Sequence, residues 1–338
     1  MINIVVTGTR GKSSTVKLLH KKLRDRHDCS VFSKISGKDS YILFNECEAK
    51  YNRDRKQPFV EQEIFDLINR YNADINIIEN QGIDPYIVKY INEILDPAYI
   101  LITNIRRDHI ERYGNDKDEI IQKFAETIPK YSKVFVSDDY SYINDKVEDA
   151  LPDSEVIKLD PIRKEIFTQS ITLTDGVSRL FGRRLRESEI QEEIDKINKR
   201  YTFKETGYGF KYLDGAGLND IDSTKMLIDK LKPCDLSLLM YLRKDRWSRS
   251  VSFLELFNNP DLDIKKIYLV GKDAKTIKNH IRKGVRTIIL KDDINQINKA
   301  IYKMDGNVMS VGNKVCEYIK CFNEYVKCSI DWMILENL

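Results

Sequence analysis

The stretch VVTGTRGKSSTVKLL, residues 5–19, gathers two glycines, a lysine and three consecutive hydroxyl side chains directly after a β-branched run. Gly8 and Gly11 let backbone N–H groups approach phosphate oxygens, the start of the following helix adds partial positive charge, and the Lys12 ammonium can reach β- and γ-phosphates. Ser13 offers a hydroxyl to Mg²⁺. Thr9, Arg10 and Ser14 complete the candidate nucleotide loop. The spacing is unusual, because the P-loop pattern G-x-x-x-x-G-K-[ST] would place glycine at position 6, where Val6 stands.

Two further stretches bring polar groups to the ends of apolar runs. In ADINIIENQG the run Ile75 to Ile78 ends in Glu79, a carboxylate emerging where strands of such sheets deliver ligands and where Mg²⁺ wants an oxygen. In YILITNIRRDHIERYG the run Ile100 to Thr103 delivers Asn104 and then Asp108 and His109 into a loop before a helix. His109 is one of only four histidines, and a strand in the same sheet carries it toward the other two sites.

The elements that must position these residues follow from periodicity. Short apolar or β-branched runs at 2–6, 30–34, 74–79, 98–103, 132–137 and 155–158 alternate with segments whose apolar residues recur at i, i+3 and i+4. That alternation predicts a mostly parallel sheet covered by helices on both faces. Residues 162–199 are helical and charged, a closing segment, after which a second strand and helix alternation begins near 202. The expected fold class is therefore α/β, with an N-terminal P-loop parallel-sheet ATPase domain at 1–201 and a smaller Rossmann-like domain at 202–338. Two domains also suit a chain of 338 residues at about 150 per domain.

Composition excludes several classes. The formal net charge is +3 with 32% charged residues of both signs interspersed, which is no nucleic-acid footprint. A strand at the start leaves no room for a signal peptide, and no run of about 18 apolar residues occurs, so a cytoplasmic protein without a membrane segment is expected. Six cysteines, at 29, 47, 234, 316, 321 and 328, form no C-x-x-C pair and read as free thiols in a reducing compartment. The sequence shows no internal repeat or low-complexity segment.

GTRGKSST, ENQG and TNIRRDHIERYG, in this order, resemble the Mur ligase superfamily of ATP-dependent amide ligases, which uses a shortened G-x-x-G-K-[ST] loop. Val6 is then no defect, because Gly8 takes the turn. YLDGAGLNDIDST resembles the opening of that family's C-terminal domain, and the resemblance implies that Asp214 holds the ATP ribose, with Asn219 five residues later and Arg200 as a phosphate-sensing arginine. Within the superfamily the chain is most similar to the ligase subunit of poly-γ-glutamate synthases, the CapB/PgsB type. That likeness rests on the phosphate loop beginning without a UDP-sugar-binding domain, on TNIRRDHIERYG with AETIP after it, and on LLMYLRKDRWSRSVSFLEL. In the last stretch Arg243 and Arg246 follow a strand and could bind a substrate carboxylate. Synthases of that type carry a membrane anchor and assemble with polymer-exporting membrane partners; no anchor is read in this sequence, and a carbamylated lysine cannot be assigned.

The reaction implied joins a carboxylate to an amine with ATP, through an acyl phosphate, releasing ADP and phosphate. Lys12, Glu79 and His109 are the expected catalytic residues, Ser13, Glu79 and His109 the Mg²⁺ ligands, and Asn104 a nucleotide contact. Domain closure near residue 200 would bring Asp214 and Asn219 onto the nucleotide. Substrates would be an amino acid and a peptide or polyglutamate carboxylate; a pseudomurein-like cell-wall precursor is the alternative. Two other classes fit parts of the sequence. A P-loop kinase or NTPase switch calls for a Walker-B-like aspartate where Glu79 stands, and a non-catalytic scaffold would be suggested by loss of Lys12 or Glu79, which are both present.

Overall fold

The computed structural model describes residues 1–25, 28–36, 40–51, 60–81, 83–163, 165–314 and 316–336. The chain divides into two compact units, Met1–Asp195 and Lys196–Leu338, with the division inside a helix that ends at Arg200.

In the first unit the strands are β1 (Ile2–Thr7), β2 (Val31–Ile35), β3 (Tyr41–Phe44), β4 (Cys47–Lys50), β5 (Ile75–Glu79), β6 (Tyr99–Ile102), β7 (Lys133–Val136) and β8 (Glu155–Lys158). Among them run α1 (Lys12–Arg24), α2 (Val60–Tyr71), α3 (Pro85–Leu95), α4 (Ile110–Tyr113), α5 (Lys117–Ala125), α6 (Ser141–Ala150), α7 (Gln169–Ser178) and α8 (Glu187–Arg200). The strand order is β4-β3-β2-β5-β1-β6-β7-β8, with only β3 running antiparallel, to both its neighbours β2 and β4. β1 is central, and Ile4, Val5 and Val6 are wholly buried, as an unbroken apolar run between two helical layers should be. One face is closed by α1 and α7, whose Val16, Leu19, Leu173 and Val177 pack on Ile4, Val6 and Ile77. The helical closing segment thus completes the core of this unit. On the opposite face α2 and α3 pack Ile64, Leu67 and Ile91 against Val5, Phe32 and Ile78, while α5 and α6 cover β6 and β7.

Register fixes where the chemistry sits. β1 pairs with β5 on one side, Val6 opposite Glu79, and with β6 on the other, Val6 opposite Leu101. The loops after all three strands therefore start level with one another, at the point where the strand order turns away in both directions.

The β3–β4 hairpin was not expected from the sequence. Its turn uses Asn45 at φ 50° without a following glycine, so the usual Asn-Gly signal is missing. His20 of α1 ties it down: Nε2 donates to the Asn45 carbonyl at 2.9 Å and Nδ1 accepts from Ser33 Oγ at 2.7 Å.

The second unit has strands β9 (Lys204–Glu205), β10 (Lys211–Asp214), β11 (Leu236–Tyr241), β12 (Ile264–Val270), β13 (Arg286–Ile289) and β14 (Asn307–Gly312) in the order β13-β12-β11-β14-β10-β9. Only β9 runs antiparallel. Its helices are α9 (Ile221–Leu231), α10 (Trp247–Asn258), α11 (Ala274–Asn279), α12 (Ile297–Ile301) and α13 (Glu317–Glu336). α13 seats Ile319, Phe322 and Val326 on Tyr212 and Val308. Among the described residues no helix is long and apolar enough to cross a membrane.

Candidate active site

The loop from Gly8 to Gly11 turns on two glycines for different reasons. At Gly8, φ is 114° and a Cβ would press to 2.8 Å from the Asn104 carbonyl oxygen, so only glycine lets this loop lie against the one after β6. At Gly11 the space is open but φ is 84°.

Asn104 then clamps the loop. Its Oδ1 accepts from Arg10 N–H at 2.9 Å, its Nδ2 donates to the Arg10 carbonyl at 3.1 Å, and its own carbonyl accepts from Thr9 N–H at 2.9 Å. Both amide atoms of the buried Asn104 are thereby committed to the loop's backbone. Thr9 Oγ1 accepts from Arg106 N–H at 2.9 Å, a second bridge between the two loops.

The start of α1 is left bare. No side chain caps it and no acidic residue lies in its first turn, as is also true of α6, α7 and α10; what sets α1 apart is the two-glycine loop that leads into it. A helix start without a cap leaves N–H groups that want an anion, and the basic Lys21, Lys22 and Arg24 at the other end suit the same dipole. Lys12 folds back and donates to the carbonyls of Gly8 at 2.6 Å and Thr9 at 3.2 Å. Burial pushes its ammonium down to about 8; Glu79 opposes that shift, Arg10 adds to it and Asp108 opposes it. Ser14, the next hydroxyl after Ser13, is exposed.

Beside the loop, Ser13 Oγ donates to Glu79 Oε2 at 2.9 Å. The same oxygen accepts from Ser36 N–H at 3.1 Å, and Ser36 Oγ donates to the Glu79 carbonyl at 3.1 Å. Burial raises the Glu79 pKa, against the pull of Lys12, Ser13, Ser36 and Lys34. Ser36 and the buried Lys34 had no signal in the sequence, since their strand reads as an ordinary buried run and reaches Glu79 only through the pairing of β2 with β5.

His109 caps α4 in a left-handed conformation, φ 51°. Its ring lies between carboxylates, Nε2 3.8 Å from Asp108 and Nδ1 3.6 Å from Glu111. Asp108 in turn holds Arg10 at 2.6 Å. Behind this loop the buried Arg106 grips Asp138 with Nη1 at 2.7 and 2.8 Å and Asp139 with Nη2 at 2.7 Å. The paired aspartates after β7 are a signal that sequence reasoning passed over.

Among the described residues no three His, Cys, Asp or Glu side chains converge to hold an ion by themselves. Ser13 and Glu79 nevertheless suit Mg²⁺, which usually takes one or two protein oxygens and completes its shell with phosphates and water. A groove of about 810 Å³ in this unit lies elsewhere, bordered by Asp84, Tyr86, Arg112 and Asp153; it does not include Lys12, Ser13 or Glu79.

In the second unit Asp214 ends β10 half-exposed, its oxygens accepting from Ser310 Oγ and Asn323 Nδ2, both at 3.1 Å. Asn219, at φ 59°, faces the carbonyls of Gly312 and Ala216 and ties the loop after β10 to that after β14. Arg200 lies along the same loop: its Nη2 would be 3.1 Å from a Cβ at Gly217. Arg243 is engaged by Asp245, Nε to Oδ1 at 2.9 Å and Nη2 to Oδ2 at 2.5 Å, and Arg246 stands at the start of α10. Arg249, one turn on, donates to Asn313 Oδ1 at 3.2 Å; the sequence alone did not single it out.

Comparison with known proteins places these two sites in context. Residues 6–190 match the sequence profile of the Mur ligase middle domain, and residues 201–321 match that of the poly-gamma-glutamate synthase CapB C-terminal domain. PGA synthase CapB of Bacillus subtilis (strain 168) is 21% identical over 340 residues, covering 93% of this chain and 84% of that protein. The MurF ligase from Thermotoga maritima in complex with ADP has a TM-score of 0.63 at 14% identity, covering 98% of this chain and 81% of its own. A bifunctional folylpolyglutamate synthase/dihydrofolate synthase with Mn, AMPPNP and L-glutamate bound has a TM-score of 0.63 at 13% identity, covering 97% and 89%. These structures share the fold.

Proposed function

The chain belongs to the Mur ligase family of ATP-dependent amide ligases, and from that premise we propose that it joins the amine of glutamate to a glutamyl carboxylate, building a γ-linked chain. The substrate reading is supported by the CapB-type profile over residues 201–321 and by the name of the Bacillus subtilis relative. One observation carries the phosphate chemistry: an uncapped helix start with Lys12 latched on its own loop and Ser13 bonded to Glu79.

In this reading the N–H groups at the start of α1 take phosphate oxygens, and Lys12 leaves the Gly8 and Thr9 carbonyls for the β- and γ-phosphates. The substrate carboxylate attacks the γ-phosphorus, giving an acyl phosphate and ADP. The incoming amine attacks the acyl carbon, and collapse of the tetrahedral intermediate releases phosphate and leaves the amide. Ser13 and Glu79 would hold Mg²⁺, which supplies neutralisation of phosphate charge, and His109 is assigned to a second metal at the reacting end, as the resemblance implies. Asn104 acts on the nucleotide through the loop it clamps, Asp214 is assigned to the ribose, Asn219 to the loop beside it and Arg200 to a phosphate. Arg243 and Arg246 are assigned to a substrate carboxylate, an exchange in which Arg243 gives up Asp245. Positioning and charge neutralisation supply most of the catalysis. The functional boundary lies at 201/202, and dependence on ATP suits work in the cytoplasm, with membrane-protein partners receiving the polymer.

The test is incubation of the purified chain with ATP, Mg²⁺, glutamate and short γ-glutamyl peptides, following phosphate release and new amide mass together. Phosphate release that needs both amine and carboxylate, with a product one glutamyl unit heavier, supports the ligase. Release indifferent to both would mean an NTPase instead.

A further inference from the structure

His109 adopts a left-handed backbone that side chains other than glycine hold only when neighbours fix it. One contact that holds it is Asp108, whose Oδ1 accepts the His109 N–H at 2.9 Å. Its other oxygen, Oδ2, accepts from Arg10 Nη2 at 2.6 Å, and Asp108 is nearly buried while Arg10 is about one quarter exposed. Arg10 itself is anchored at its backbone by both amide atoms of Asn104. A continuous chain of contacts therefore runs from the phosphate loop through Arg10 and Asp108 to His109, spanning 98 positions of sequence between the first two. An arginine beside Lys12 could instead be an ATP contact, but its guanidinium is turned onto a carboxylate that has a second task.

We propose that Arg10 is a positioning residue that acts through Asp108, coupling occupation of the phosphate loop to the placement of the His109 imidazole. The proposal rests on the reading that this loop binds nucleotide. Phosphate arriving at the start of α1 must draw Lys12 off the Gly8 and Thr9 carbonyls, the residues just before Arg10, and any resulting shift of the loop is transmitted along a short charged link rather than through packing. Such an arrangement ties the placement of His109 to that of the loop.

Kinetics and spectroscopy together test it. Arg10→Met and Asp108→Ala should each lower kcat about tenfold with KM for ATP nearly unchanged, and the double variant should be no worse than either, since both cut one link. Arg10→Lys, which can still pair with Asp108, should recover most of the rate. On adding ADP to the wild-type chain the His109 ring signal, identified by its loss in His109→Gln, should shift; in Arg10→Met the shift should vanish although ADP still binds. Additive losses, a rise in ATP KM at constant kcat, or an ADP-induced shift that survives Arg10→Met would overturn the coupling alone. Failure of the wild-type chain to bind ADP would overturn the coupling and the nucleotide-loop reading together.

Discussion

Ser13 and Glu79, 66 positions apart, meet in a 2.9 Å hydrogen bond at the end of the central strands. The hydroxyl comes from the first turn of α1 and the carboxylate from the last residue of β5, so the bond exists only because β1 and β5 pair with Val6 opposite Glu79. Glu79→Gln keeps a hydrogen-bond partner for Ser13 but removes the charge a cation needs. The Mg²⁺ concentration for half-maximal rate should rise on the order of tenfold or more, as loss of a ligand or its support does. A Mg²⁺ titration that overlays the wild-type curve would remove Glu79 from the metal site.

Lys12 gives a pH signature. Its folded pKa of about 8 lies below the ordinary 10.5, so in the free protein the ammonium is lost as pH rises through about 8. The rate constant kcat/KM for ATP should fall across that pH, while kcat, measured with phosphate already neutralising the ammonium, should hold to higher pH. Stability moves the other way: between about 8 and 10.5 the unfolded chain binds more protons, and stability rises with pH. Lys12→Ala should lose about 10²- to 10³-fold in rate and abolish the alkaline limb. A kcat/KM profile flat across this range would contradict the assignment.

Arg106 tests the support rather than the chemistry. Its side chain is buried and paired with Asp138 and Asp139, and burial already raises the Asp139 pKa despite the guanidinium. Arg106→Met strands two carboxylates in the interior and should cost about 3–5 kcal/mol of stability. Denaturant unfolding measures it directly, and a loss under about 1 kcal/mol would mean that solvent reaches these groups.

How far the sequence could be read depends on whether a signal was local. The β1 run, the glycine loop and the helix after it are contiguous, so Gly8, Gly11, Lys12 and Ser13 could be grouped as one candidate phosphate loop, and Glu79 and Asn104 placed beside it because each sits at the end of an apolar run. Lys34 and Ser36 could not be, since they join the site only through strand pairing, and a lysine inside a buried strand carries no mark of its destination. The β3–β4 hairpin lacked its turn signal at Asn45. Asn104 was read as a nucleotide contact, yet its amide is spent on Arg10, a pairing that becomes visible only once β1 and β6 lie side by side.

The central claim is that a carboxylate is activated by phosphoryl transfer before an amine attacks it. A substrate carboxylate labelled with ¹⁸O, incubated with ATP, Mg²⁺, glutamate and the wild-type chain, tests that claim most directly. One labelled oxygen should pass to inorganic phosphate for each amide formed, with ADP as the other product. Label recovered in AMP would mean adenylation, and amide formation with no label in phosphate would contradict the acyl phosphate altogether.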